Sequence, residues 1–391
     1  LPRPKGQVGR VRGRQGTYTM EDVRKATGTN GMTAVSTFAG SGGSSTGHRL
    51  AGFKIALANE FVDLAADTYI ANKAPYTIVD RRDIRTITAE DLLNKINLDV
   101  GELDLLDGSP PCSAFSTAGK RQDGWGKSKA YSTGKQQVVD DLFFEYAKLI
   151  RGVQPKAFIA ENVTGLVKGT AKGYFKMILK ELENCGYNVR AYVIDAHRSG
   201  VPQERQRLIF MGARHDLGVV PTPPKKMQNI PTIGNSFPYM IGAGNGKLGV
   251  TKQEVEGKSF IRGLRSANRP LGTLGAEMSF PGANSPSCLV VTDKTNDPYS
   301  NNIDPETGYL LSLPNSRSYD LVRRAAKRLY GDKGNLRYAT LGELRTFAGF
   351  PSDFKLTGTY QNRLERVGRA VPPIMMKHIS SHLAKTVLAR K

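Results

Sequence analysis

Two residues of this 391-residue chain have types and placements suited to covalent chemistry, Cys112 and Glu161. The stretch from Leu105 to Ser116 reads LLDGSPPCSAFS. A short apolar run (Leu103, Leu105, Leu106) ends at Asp107 and Gly108, the pattern of a buried parallel strand that delivers a turn at its carboxyl end. Open α/β sheets place their chemistry at that end. Pro110 and Pro111 stiffen the turn and set the Cys112 thiol at the rim, where it is a nucleophile candidate; taken alone, a lone cysteine is as readily core packing. A second run, KAFIAENV from Lys156 to Val163, is apolar to Ala160 and then presents Glu161. Neighbouring strands would bring a thiol and a carboxyl to one rim, an arrangement suited to covalent catalysis with an acid at hand.

The elements that must position these groups alternate strand and helix. MTAVSTF (Met32–Phe38) reads as a first parallel strand, followed by Ala-Gly-Ser-Gly-Gly and a helix through Leu50. Gly40, Gly42 and Gly43 allow a tight turn and close approach to a ligand. IALANE gives a second strand ending at Glu60, where an acid can accept ribose hydroxyls. YTIVDRRDI gives a third, with Asp83 and Ile84 placed to bond and pack an adenine ring. This βαβαβ pattern describes an adenosine pocket, although the glycine spacing by itself does not exclude a dinucleotide. Further on, the strands YVIDA and RLIFMG flank VPQERQR, in which alternation puts Arg205 and Arg207 on one face of an extended segment. Two adjacent guanidiniums suit a phosphate or a base carbonyl.

Composition points to a polyanionic partner. The formal net charge is +21, from 56 Lys and Arg against 35 Asp and Glu, and the sequence pI is about 9.8. Phosphate neutralisation supplies most non-specific nucleic-acid affinity, whereas solubility rarely calls for so much charge of one sign. The three cysteines, Cys112, Cys185 and Cys288, form no CxxC pair, so neither a disulfide framework nor a metal site is indicated and a reducing compartment fits. No apolar run reaches the length of a membrane span and no signal peptide is visible. The chain starts without methionine and reads as trimmed. Residues 1–17 carry Arg3, Lys5, Arg10, Arg12 and Arg14 among glycines and prolines, the composition of a disordered basic arm that either tracks phosphates or is simply solvated.

FAGSGGSSTGHRLAGF, SPPCSAFS, ENV, VPQERQR, RYATLGELRTFAGFP and GRAVPP occur in that order between Phe38 and Pro373, with a gap from about Pro221 to Leu336. In this the chain resembles the DNA (cytosine-5) methyltransferases of bacterial or phage type. The resemblance implies an α/β, Rossmann-like S-adenosylmethionine-dependent methyltransferase fold, a doubly wound and mostly parallel sheet with a smaller, irregular target-recognition domain. It divides the chain into the arm (1–17), a catalytic and cofactor-binding domain (18–215), a target-recognition domain (216–335) and a return to the catalytic domain (336–391). In that last part LRYATLGELRTFAGFP is expected to be a helix and the C-terminal segment to pack another helix back on the sheet. The cofactor implied is S-adenosyl-L-methionine, held at Phe38, Gly40, Gly42, Glu60, Asp83, Ile84, Pro111, Leu142, Arg369 and Ala370, without a metal. The partner implied is double-stranded DNA, met by Ser116, Lys120, Arg121 and Gln203, in a monomeric enzyme of the bacterial or phage-infected cytoplasm. The basic segment after Cys112, which includes Lys127, Lys129, Lys135 and the single Trp125, corresponds to a loop that closes over DNA once the target base is flipped out. The implied mechanism adds the Cys112 thiolate to C6 of the flipped cytosine while Glu161 protonates N3. Arg207 then holds the base carbonyl, Arg205 a phosphate or Glu161, and Asn162 bonds the backbone.

One position departs from the family pattern: Gly368-Arg369-Ala370-Val371 stands where most members have Gly-Asn. In one reading Arg369 turns to solvent or an acid and methyl transfer is ordinary. In the other it pairs with a carboxylate on the transferred group, so that the donor is carboxy-S-adenosyl-L-methionine and the product 5-carboxymethylcytosine. An RNA cytosine-5 methyltransferase, a non-catalytic DNA-binding relative and a nucleotide-binding oxidoreductase are the rival classes. The recognition sequence is not legible.

Overall fold

The computed structural model describes residues 17–111, 128–130, 136–138, 141–167, 171–244, 264–274, 289–313, 315 and 317–389. Cys112, Ser116, Lys120, Arg121, Trp125, Cys288 and the arm to residue 16 lie outside the described residues.

Thirteen strands are assigned among the described residues: β1 (Thr33–Thr37), β2 (Lys54–Asn59), β3 (Ile78–Asp80), β4 (Leu105–Gly108), β5 (Ser128–Ala130), β6 (Gln136–Val138), β7 (Ala157–Val163), β8 (Tyr187–Asp195), β9 (Gln206–Arg214), β10 (Met240–Gly244), β11 (Leu264–Ser266), β12 (Leu289–Asp293) and β13 (Gly334–Tyr338). The helices are α1 (Met20–Ala26), α2 (Gly43–Leu50), α3 (Asp63–Ile70), α4 (Ala89–Ile96), α5 (Leu142–Val153), α6 (Lys172–Glu183), α7 (Ile233–Ser236), α8 (Arg317–Tyr330), α9 (Leu341–Phe347), α10 (Tyr360–Arg369) and α11 (Pro373–Leu383).

Seven strands form the main sheet in the order β3-β2-β1-β4-β7-β9-β8, parallel except for β9, which runs antiparallel to both neighbours. Strand order reverses at β1/β4, the switch point at which such sheets open a crevice. Successive residues alternate between two apolar layers. Val35, Leu106, Phe158 and Phe210 pack with Leu92, Tyr146 and Ile178 of α4, α5 and α6. Ala34, Leu105, Ile159 and Ile209 pack with Met375, Met376 and Ile379 of α11. Each fully buried side chain of this size contributes roughly 1.5–3 kcal/mol. The C-terminal helix α11 does return to the sheet after the break at Pro372-Pro373, and it meets α2 where Gly47 has no side chain: a Cβ there would lie 2.5 Å from the Pro373 carbonyl oxygen.

A second, antiparallel sheet has the order β11-β10-β12-β13. Its core takes Ile233, Met240, Leu289 and Val290 together with Tyr338, Leu341, Phe347 and Leu364, and also Met20 and Val23 of α1. Apolar side chains between Tyr338 and Val367, and Met20 and Val23 of α1, thus pack with the second sheet, while α11 packs on the main sheet. Residues 336–351 are not one helix. Residues 334–338 pair along β12, and the helix starts only after Thr340, whose hydroxyl accepts the Glu343 N–H at 3.1 Å while Glu343 accepts the Thr340 N–H at 2.6 Å. Arg337, fully buried, sets this junction by donating to Asp297 (2.8 Å) and Glu343 (2.8 Å), and Glu343 also accepts the Tyr239 hydroxyl.

Candidate active site

At the switch point, the turn after β1 is left-handed at Phe38 (φ 49°), Gly40 (φ 55°) and Gly42 (φ 94°). Glu60, at the end of β2 and 7% exposed, holds this turn: its carboxylate accepts the Gly40 N–H at 2.7 Å and the Val62 N–H at 2.8 Å. Gly43 starts α2 hard against the C-terminal segment, where a Cβ would sit 2.2 Å from the Val371 carbonyl oxygen, so the turn and residues 370–371 adjoin. Asp83 follows β3 and accepts the Arg85 N–H at 3.1 Å, with Ile84 beside it and almost covered. Pro111 is half-buried beyond β4. The buried Ser41 hydroxyl, in the turn itself, has no hydrogen-bond partner. The Leu142 side chain is completely covered and packs in the apolar layer of α4, α5 and α6. An adenosine-bearing group fits this set, with a glycine turn, an acid at one strand end and an apolar and acidic pair at the next.

The second half of the site lies on the neighbouring rim. Glu161 on β7 and Arg207 on β9 are diagonal neighbours in the ladder, since Glu161 faces Ile209 and Val163 faces Arg207. Arg207 Nε donates to Glu161 Oε1 at 2.6 Å, with side chains 15% and 12% exposed. Asn162 donates to the Pro110 carbonyl at 3.2 Å and accepts the Val163 N–H at 2.8 Å, the backbone role expected of it, so β7 braces the turn that leads into Cys112. On the opposite face, Gly108 lets the Tyr146 ring approach, and a Cβ would lie 2.5 Å from it. The Tyr146 hydroxyl sits 2.9 Å from the Leu106 carbonyl and 3.0 Å from that of Ile159. A cavity of about 500 Å³ opens beside Arg207, lined also by Thr164, Asp195, His197, Glu204, Gln206 and Thr273.

Arg205 and Gln203 are placed otherwise than expected. Arg205 is 3% exposed and donates to the carbonyls of Leu274 (2.8 Å) and Gly368 (2.9 Å). Burial and the Arg207 cation depress its guanidinium well below the usual arginine range, and the nearby Glu161 partly offsets this. It therefore joins the two units and is not presented to a phosphate. Gln203 is likewise buried: it donates to the Phe347 carbonyl and accepts the Leu274 N–H, both at 3.1 Å, so it does not face DNA. The partner segment 271–274 was not found from sequence. It lies beside 202–204 through the Leu271 N–H to the Pro202 carbonyl and the Glu204 N–H to the Leu271 carbonyl. A short Leu-Gly-Thr-Leu run among prolines and glycines carries no periodicity to reveal it.

Arg369 ends α10 with its side chain 45% exposed and donates to Glu365 at 2.6 Å, while Arg366 reaches the other oxygen of that acid at 3.0 Å. Cys185 is buried, and burial pushes its thiol up, so it is inert packing. Among the described residues no group of His, Cys, Asp and Glu could hold a metal, and no helix is long and apolar enough to cross a membrane.

A mostly parallel seven-stranded sheet with a glycine turn at its switch point is the fold of the Rossmann-like methyltransferases, and here an acid–guanidinium pair stands on the adjoining rim. Residues 32–385 match the family of C-5 cytosine-specific DNA methylases, and the chain belongs to that family: it is a DNA cytosine-5 methyltransferase. It is similar to the type II methyltransferase M.NgoPII of Neisseria gonorrhoeae, 27% identical over 92% of this chain and 97% of that one. The type II methyltransferase M1.HphI of Haemophilus parahaemolyticus is 28% identical over 90% and 87%. Among solved structures, a prophage-encoded DNA modification methyltransferase (E. coli) superposes with a TM-score of 0.58 at 19% identity, covering 91% of this chain and 99% of that one. DNMT2 of Spodoptera frugiperda gives 0.58 at 18%, with the same coverage.

Proposed function

We propose that this enzyme methylates C5 of a cytosine flipped out of duplex DNA at a specific sequence, with S-adenosyl-L-methionine as donor and Cys112 as nucleophile. The observation that carries the reading is the Glu161–Arg207 pair beside the braced Pro110-Pro111 turn. C5 of cytosine is a poor nucleophile, so the ring's conjugation must first be broken. The Cys112 thiolate adds at C6, and Glu161 delivers a proton to N3 as charge builds on the ring. Arg207 is tethered to Glu161 and faces the cavity, which suits it to hold the base carbonyl and keep the carboxyl oriented. The bound cofactor supplies an electrophilic methyl on a sulfonium; Phe38, Gly40, Gly42, Glu60, Asp83, Ile84 and Ala370 would hold it. With the methyl transferred to C5, loss of the C5 proton to a base expels the Cys112 thiolate, and N3 returns its proton to Glu161, which leaves the enzyme free. Ser116, Lys120 and Arg121 are assigned to DNA contact on sequence alone.

Ordinary methyl transfer is favoured over carboxymethyl transfer because Glu365 already meets the charge of Arg369. The test is mass analysis of nucleosides from duplex DNA incubated with the enzyme and, separately, each donor. 5-Methylcytosine from S-adenosyl-L-methionine, lost in Cys112→Ser, supports the reading. Product from carboxy-S-adenosyl-L-methionine alone, or turnover retained in Cys112→Ser, overturns it.

A further inference from the structure

A histidine and an aspartate lie buried behind the catalytic rim, and neither is used in the chemistry above. Asp107 is 1% exposed within the apolar strand β4, and His48, on α2, is completely covered. The imidazole Nε2 stands 3.3 Å from Asp107 Oδ2, and the same oxygen accepts the hydroxyl of Ser36 at 2.8 Å. Ser36 is the register partner of Asp107 on β1. The other ring nitrogen of His48 lies 2.7 Å from the Ser380 hydroxyl on α11, and the Thr37 hydroxyl donates to the Asp107 carbonyl at 3.0 Å. Among the described residues, neither Asp107 Oδ1 nor His48 Nε2 has a hydrogen-bond partner of good geometry, so the 3.3 Å approach is a close polar contact between them.

A carboxylate in the middle of a sheet is costly to desolvate and is tolerated when paired. Apolar residues of similar volume would pack β4 equally well, so local rules broken at this point mark a functional constraint. Its placement gives that constraint content. Ser36 lies two residues before Phe38 and the glycine turn; Asp107 lies five before Cys112; His48 is on the helix that the glycine turn opens; Ser380 is on the helix that follows Arg369 and Ala370. The four groups tie together the segments that border the crevice on the cofactor side and the strand that carries the nucleophile.

We propose that His48 and Asp107 form a buried polar pair that fixes the cofactor turn relative to the nucleophile turn, and that they are positioning residues for alkyl transfer; this rests on the function proposed above. Reacting atoms displaced by about 1 Å can lose on the order of 100-fold in rate, so the pair acts on kcat and leaves binding largely alone.

The experiment compares wild type, His48→Gln, Asp107→Asn and the double variant for 5-methylcytosine formation, with KM for DNA and donor, and Tm as the check on folding. Each single variant alters one member of the pair, whereas the double places two amides able to hydrogen-bond to each other. The expected result is a fall in kcat of about 10-fold or more in each single variant, KM changed by no more than about 2-fold, and substantial recovery of kcat in the double. A lowered Tm with kcat unchanged in the folded fraction, or a double variant whose losses simply add, overturns the proposal. His48→Gln can keep its bond to Ser380, so it serves if Asp107→Asn does not fold. A wild-type enzyme that makes no 5-methylcytosine removes the functional reading and this inference together, whereas an active wild type with unaltered variants removes only this inference.

Discussion

Replacing Arg205 by Met separates two roles that the sequence alone leaves open. Its guanidinium makes two charge-assisted hydrogen bonds, to the carbonyls of Leu274 and Gly368, from a side chain that is 3% exposed. Such bonds contribute about 1.5–3 kcal/mol each, and the stranded carbonyls cost about 1–3 kcal/mol each. Against this, desolvation of the cation is removed, a return of several kcal/mol. The buried Nε, which has no partner, shows that the solvation of this cation is incompletely replaced. The balance is a loss of about 2–4 kcal/mol, and with unfolding entropy near 2 cal/mol/K per residue that lowers Tm by about 3–5 °C in a chain of this length. Because Arg205 joins residues 274 and 368 across the two units, the variant should also lose activity through misplacement. Its salt dependence of DNA binding should be that of wild type, however, since no phosphate contact is lost. Binding titrations at several salt concentrations, alongside thermal unfolding, decide the matter. A slope of log K against log salt reduced by about 1, with Tm unchanged, would show a direct phosphate contact and refute the joint role.

Glu161→Gln keeps the shape of the acid but cannot deliver a proton to N3, so kcat should fall by about 100-fold or more while DNA affinity stays within a few-fold, as read by single-turnover methylation. Arg369→Asn should leave donor preference unchanged; a switch in preference between the two donors, measured by product mass, would show that Arg369 reads the transferred group. Gly43→Ala places a methyl 2.2 Å from the Val371 carbonyl oxygen, on backbone that cannot swing away, and should abolish cofactor-induced stabilisation in a melting assay. Acid should unfold the protein through carboxyls held low by cations. At Asp297, burial pushes the value up, but hydrogen bonds from Arg337 and Thr292 outweigh it and leave it below 3.8; at Glu365, burial is likewise outweighed by Arg366 and Arg369, leaving it below 4.5. Groups with depressed folded values stabilise above their unfolded values and lose that contribution as pH falls through the folded ones. Tm should therefore stay level down to about pH 5 and drop below about pH 4; a Tm that rises on acidification would contradict these pairings.

The main sheet, its glycine turn and Glu161 were legible because each is a local pattern: apolar runs of strand length, glycines where φ is positive, and an acid at a run's end. The backbone role of Asn162 followed from the resemblance, and for Arg369 an acid was one of two readings left open. VPQERQR was visible as a motif, yet alternation alone put its three polar side chains in one role. The structure separates them: Arg207 faces the cavity, while Gln203 and Arg205 enter the joint with residues 271–274, 347 and 368, segments about 70 to 160 positions away. Whether a polar side chain meets solvent or a distant backbone carbonyl is set by what packs over it, and that information is not local. The same limit hid the strand at 334–338, where Arg337 finds Asp297 and Glu343 in place of an expected helix start. It also hid the pairing of His48 with Asp107, since an acid inside an apolar strand announces a constraint without naming its partner. Chain order thus determined the family, the sheet and the candidate residue types; tertiary packing decided which charges face the cavity and which hold the two units together, because desolvation and partner choice exist only once distant segments meet.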